Sequence, residues 1–170
     1  LDKTEKDVFK LLNSRSGGDF VPIRQVVMNA LEKIEKASKQ SGTVTGIPTG
    51  FIDLDYRTAG LQPSDLILVA ARPSMGKTAL ALNLAVNCIK HGTGNEVVAI
   101  FSLEMGSDQL VERMLASESS IRLNTIKSGR LAKNEWARFT TSCTKLGSMN
   151  LYFDDSADSS ISSIRAKCRK

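Results

Sequence analysis

The chain has 170 residues, long enough for one domain with a real core and an appendage. Its 23 Lys and Arg against 18 Asp and Glu leave a formal charge of +5, which permits a polyanionic partner without demonstrating one, and aromatics at 5% leave few rings for stacking bare bases. Three scattered cysteines (Cys88, Cys143, Cys168) and one histidine (His91) argue against a zinc site or a disulfide framework and for reduced thiols in a cytosolic protein, while no apolar run reaches membrane-spanning length and no signal peptide is visible.

Residues 1–19 are polar and end in a turn-rich stretch, with Val8, Leu11 and Leu12 as a short helical stripe that reads as the tail of an earlier domain. Over 21–39 the pattern predicts an amphipathic helix. Pro22 suits its first turn and Asp19 stands upstream as a cap, while Ile23, Val26, Val27, Ala30, Leu31, Ile34 and Ala37 recur at three- and four-residue steps. From the pattern alone, packing on its own domain competes with docking on a neighbouring subunit, because residues 40–43 form a flexible, hinge-like segment. Gly and Pro then punctuate 44–64 around a short helix at 51–57.

From residue 65 the chain alternates: strand 65–70, helix 77–90, strand 96–102, helices near 107–118 and 133–146, a short strand at 150–153 and a last helix from about 160. Leu110, Met114 and Leu115 face inward on one of these helices, and Trp136, Phe139 and Leu146 mark another. Such alternation predicts an α/β fold, a parallel sheet covered on both faces, with ligands at the carboxyl ends of the strands.

That end carries Ala70-Ala71-Arg72-Pro73-Ser74-Met75-Gly76-Lys77-Thr78, a phosphate loop between a strand and a helix. Polyphosphate needs backbone N–H donors converging at a helix N-terminus, a lysine for the outer phosphates and a hydroxyl for magnesium. Ala71 departs from the general pattern, which opens with glycine. Glu104, after the second strand, is a candidate to orient the attacking water, with a solvated loop residue or a partner near Ser107 as the plainer alternatives. Asp154-Asp155, after the third strand, compete as metal-binding acids, and helix capping from residue 160 on, with Asp158 and the neighbouring serines, accounts for them equally well.

The run from Gly46-Ile47-Pro48-Thr49-Gly50-Phe51 through Leu54-Asp55, Asp65-Leu66-Ile67 and the phosphate loop resembles the bacterial replicative DNA helicases of the DnaB family. So do Phe101-Ser102-Leu103-Glu104-Met105 and Ile164-Arg165-Ala166-Lys167-Cys168-Arg169. The resemblance runs from about residue 22 to the end, and that family commonly has alanine at the position of Ala71. It implies a RecA-like P-loop core in a homo-hexameric motor that moves on single-stranded DNA with ATP and Mg2+, in the cytoplasm at the nucleoid, with primase and a helicase loader as partners.

By that resemblance residues 71–79 bind the phosphates, Lys77 and Glu104 are catalytic, and Thr78 ligates magnesium. The helix at 21–39 becomes a linker docking on the next subunit through Ile23, Val26, Val27, Ala30, Leu31 and Ile34. Residues 1–20 become the remnant of an N-terminal domain, 21–43 linker helix and hinge, and 44–170 a partial ATPase domain. Asp154-Asp155 lose the metal role, since the family's metal-binding aspartate, DNA loops and arginine finger belong to later segments. Both ends of the chain, Leu1 without a Met and a basic terminal run, are expected to be cut from something longer, so residues 1–170 alone are expected neither to hydrolyse ATP nor to unwind DNA. Two other readings stay open. One is another RecA-like DNA-dependent ATPase of recombination or repair; the other is a non-catalytic assembly module.

Overall fold

The structure, a computed structural model, describes residues 20–39, 44–156 and 160–169, and the chain divides into one unit through Gly42 and a second from Thr43. The expected stripe at Val8, Leu11 and Leu12, the Asp19 cap, the 40–43 hinge and Asp158 lie outside the described residues.

In the first unit α1 spans Ile23–Lys39. Its first bonds run from the N–H groups of Gln25 and Val26 to the Pro22 carbonyl, so proline sits at the cap position, where its missing N–H costs nothing. Ile23, Val26, Val27, Leu31 and Ile34 are all exposed, from 48% to 76%, and Ala30 is exposed beside them.

The second unit begins with a braced turn. Ile47 and Leu61 form an isolated antiparallel bridge around α2 (Ile52–Thr58). Inside it the Asp55 carboxylate accepts from the Thr49 N–H (2.8 Å), the Thr49 hydroxyl (2.7 Å) and the Gly50 N–H (3.1 Å). Thr49 is fully buried and Asp55 nearly so. Burial pushes the Asp55 carboxyl up, but the donors of Thr49 and Gly50 outweigh it and leave its pKa below the ordinary value. Gly50 has φ +75°, and an added Cβ would lie 2.7 Å from the Asn87 amide nitrogen, so the turn fits closely against the next helix.

That helix, α3 (Lys77–His91), buries Leu82, Ala85, Val86 and Cys88. It is followed by β1 (Val98–Phe101), α4 (Ser107–Ser119), α5 (Leu123–Ser128), α6 (Lys133–Gly147), β2 (Leu151–Asp154) and α7 (Ile161–Lys167). The two strands pair in parallel, Val98 opposite Leu151 and Phe101 opposite Asp154, with the three helices as crossover. Leu82 and Val86 of α3 meet Leu110 and Met114 of α4 in the core, against half-buried Ile100, Leu151 and Phe153 of the sheet. Leu115 is half-buried as well. Glu118 ties three helices together through Lys90 of α3 and Lys145 of α6. On α6, Trp136 and Phe139 stack edge to face at 5.8 Å, but Trp136 remains 48% exposed.

Two expectations need correction. Residues 65–70 run without strand pairing, and Leu66 and Leu68 are 96% and 88% exposed. Apolar content suits a strand, but a strand exists only where a ladder partner satisfies its amides, and the described residues supply none there. Among the described residues the sheet is also packed on one face rather than both. Ala99 and Tyr152 on the other face are exposed and border a cleft of about 910 Å³ with Lys167 and Cys168. The short helix α5 has no counterpart among the expected elements.

Candidate phosphate-binding site

The loop at 71–76 is a tight turn between the 65–70 segment and helix α3. Met75 N–H bonds the Arg72 carbonyl at 3.3 Å, and both Ser74 (φ +65°) and Gly76 (φ +90°) are left-handed. Serine there is strained, and such conformations in a turn aim backbone amides toward a common anion. At Gly76 the strain is relieved by the missing Cβ. The loop residues Ala71, Arg72, Pro73, Ser74, Met75 and Gly76 are all exposed.

Helix α3 starts directly from this loop, with the Leu80 N–H on the Gly76 carbonyl at 2.9 Å. No side chain caps its N-terminus and no acid stands in its first turn. Instead that turn holds Lys77, Thr78 and Ala79. A lysine at the positive end of a helix dipole is unfavourable by itself, and an anion bound to the same amides reverses the sign.

A groove of about 560 Å³ brings the separated residues together, lined among others by Lys77, Thr78, Ser102, Leu103 and Glu104. That volume lies within the roughly 300–1,000 Å³ of small-molecule sites. Thr78 is half-buried and Glu104 exposed. Among the described residues no cluster of three or more His, Cys, Asp or Glu gathers for a metal. Magnesium does not require one, because it keeps several waters and takes substrate phosphates with one or two protein oxygens, so the Thr78 hydroxyl fits that role.

The competing acids are engaged elsewhere. Asp154 accepts from Lys167 and from the Ser156 hydroxyl, which hold its pKa at about 2. Asp155 accepts from the Ser107 N–H at 2.8 Å and the Ser107 hydroxyl at 2.9 Å, and these donors hold its carboxyl below the ordinary value. Asp155 therefore caps α4, and α7 is capped by Ser160, whose hydroxyl accepts from the Ser163 N–H at 3.2 Å. Ser107 is thus paired with Asp155, not with Glu104. Sequence reading missed that brace, since only the serine at a helix start hinted at a cap and its partner lies 48 residues away.

The family of DnaB-like helicase C-terminal domains matches residues 46–170 of this chain. The chain belongs to that family. Across all 170 residues it is 43% identical to the replicative DNA helicase DnaC of Bacillus subtilis and 42% identical to the replicative DNA helicase DnaB of Geobacillus stearothermophilus, spanning 37% of the length of each. Among solved structures, one described as an ATPase domain superposes with a TM-score of 0.79 at 35% identity, covering 89% of this chain and 52% of that one. A DnaB-like replicative helicase, described with its interactions with primase, superposes at 0.74 and 34% identity, covering 97% of this chain and 39% of that one. The α/β core of this DnaB-like chain is thus part of a RecA-like helicase ATPase domain.

Proposed function

We propose that the chain is the nucleotide-binding part of a hexameric, ATP-dependent replicative DNA helicase. One observation carries the reading: the adjacent Lys77 and Thr78 share a single groove with Glu104, distant in sequence, in a DnaB-like chain.

The backbone N–H groups of residues 74–78 receive the phosphates of ATP, and the Lys77 ammonium neutralises the outer two. Thr78 supplies an oxygen to Mg2+, which when bound offsets charge on the phosphate oxygens. The Glu104 carboxylate orients a water and accepts its proton as the water oxygen bonds to the terminal phosphorus. The bond to the bridging oxygen breaks and ADP leaves. The exposed stripe of α1, from Ile23 through Val26, Val27, Ala30 and Leu31 to Ile34, docks on the neighbouring subunit of the ring. Single-stranded DNA is the track, and primase and a loader are partners, in the cytoplasm at the nucleoid. The primase interaction named for a structural neighbour supports the primase partner, and the replicative helicases among the relatives support the replicative role.

Lys77→Ala in the full-length protein tests the reading. The side chain is exposed on the groove rather than in the core, so the fold should survive, with thermal unfolding unchanged, while ATP hydrolysis falls by about 100-fold or more. Hydrolysis at the parent rate would refute the site.

A further inference from the structure

Glu104 sits in the connection between β1 and α4, and its side chain is exposed. A water-orienting carboxylate must be held within about 0.5 Å of its working position, so the order of this loop has to come from its ends. Both ends are tied to consecutive residues of one segment. At the start, the Ser102 N–H donates to the Asp154 carbonyl at 2.9 Å, continuing the β1–β2 ladder. The Ser102 hydroxyl then closes the loop on itself, donating to the Met105 carbonyl at 2.7 Å and accepting from the Met105 N–H at 3.2 Å.

At the far end, α4 begins after Gly106, which has no side chain with which to cap the helix. The cap arrives from across the sheet, as Asp155 takes both the N–H and the hydroxyl of Ser107. A carboxylate at a helix N-terminus is favoured by the dipole as well as by its two donors. Residues 102–107 are therefore strung between two fixed points, with Glu104 in the middle. Loss of the Ser107 anchor leaves the Ser102 hydroxyl to hold Met105 on the side of the loop that no strand holds.

We infer that Asp155 is a positioning residue for Glu104, fixing the water-orienting carboxylate by anchoring Ser107 at the start of α4. The inference rests on Glu104 having the role proposed above. It differs from a metal-binding role for the acid pair, because Asp155 acts through an acceptor oxygen and its charge is secondary.

The test uses the full-length protein with Asp155→Ala, Asp155→Asn, Glu104→Gln and the double variant Asp155→Ala/Glu104→Gln. Steady-state hydrolysis, nucleotide affinity and thermal unfolding are measured for each. Asp155→Ala should lower kcat by about tenfold or more and move nucleotide affinity by less than about threefold, since only the loop that carries Glu104 is loosened. Asp155→Asn keeps an oxygen acceptor for Ser107 and should stay within about threefold of the parent. In the Glu104→Gln background, Asp155→Ala should cost nothing further, the non-additivity expected of residues that act as a unit.

Parent-like kcat in Asp155→Ala overturns the inference. So does Asp155→Asn as slow as Asp155→Ala, which would assign the effect to charge, or a full additional loss in the double variant. If neither Asp155 variant folds, Asp155 is a stability residue and the inference also fails. Parent-like kcat in Glu104→Gln alone would instead overturn the role of Glu104, a distinguishable outcome.

Discussion

Asp55→Ala should destabilise the second unit by about 3 kcal/mol, because it strands a buried donor. The carboxylate takes three hydrogen bonds, and two come from Thr49, which has no solvent access. Gly50 is exposed, so water replaces the partner of its N–H. The Thr49 N–H cannot be rescued so, and a buried unsatisfied donor costs about 1–3 kcal/mol, with about 1.5–3 kcal/mol typical for a bond to a charged group. The desolvation recovered on removing the charge keeps the total near the lower sum. Asp55→Asn retains one oxygen for Thr49 but sets an amide N–H against that of Gly50, so about 1–2 kcal/mol is expected.

The pH dependence has a definite sign. The Asp55 pKa is lower folded than unfolded, so its stabilisation is complete above the ordinary carboxylate value of about 3.9 and is lost as pH falls through the depressed folded value. Asp55→Asn should flatten that acid limb. Urea titration of the 170-residue chain, followed by fluorescence of its single tryptophan, Trp136, reads both effects. Changes within about 0.5 kcal/mol for both variants, the range of an ordinary surface substitution, would refute the reasoning.

At Gly76 nothing lies within 4 Å of an added Cβ, so Gly76→Ala should cost the fold only the left-handed backbone penalty, about 1–2 kcal/mol, while weakening nucleotide binding by about tenfold or more as the loop relaxes. Calorimetric titration with a non-hydrolysable ATP analogue checks it, and parent-like affinity would contradict the role of the turn. Leu31→Asp, in the middle of the exposed α1 stripe, should shift the hexamer proposed for the full-length protein to smaller species in sedimentation, whereas an unchanged assembly would contradict docking through that face.

Much of the fold and site is legible in the sequence because it depends on local pattern. The three- and four-residue steps of α1 and the glycine before Lys77 determine their own conformations. Glu104, just past the end of β1, shares a groove with Lys77 as the strand-end rule expects, although the segment before Lys77 forms no strand. Residues 65–70 mislead for a physical reason, since their apolar run suits a strand whose ladder partners no local pattern can supply. The Asp155–Ser107 brace is hidden likewise, because its donors and acceptor meet only once β2 lies beside β1. The plain capping alternative for the acid pair is nearer the mark than the metal alternative, though Asp155 caps α4 rather than the helix that follows it.

The central claim, that Glu104 activates water over phosphates held by residues 74–78, is tested most directly by ATP turnover in full-length Glu104→Gln beside its ATP affinity. The account predicts affinity within about threefold of the parent and kcat lower by about 100-fold or more, because glutamine can occupy the position but cannot accept the proton. Turnover at the parent rate would contradict it and leave Glu104 a structural residue of the loop.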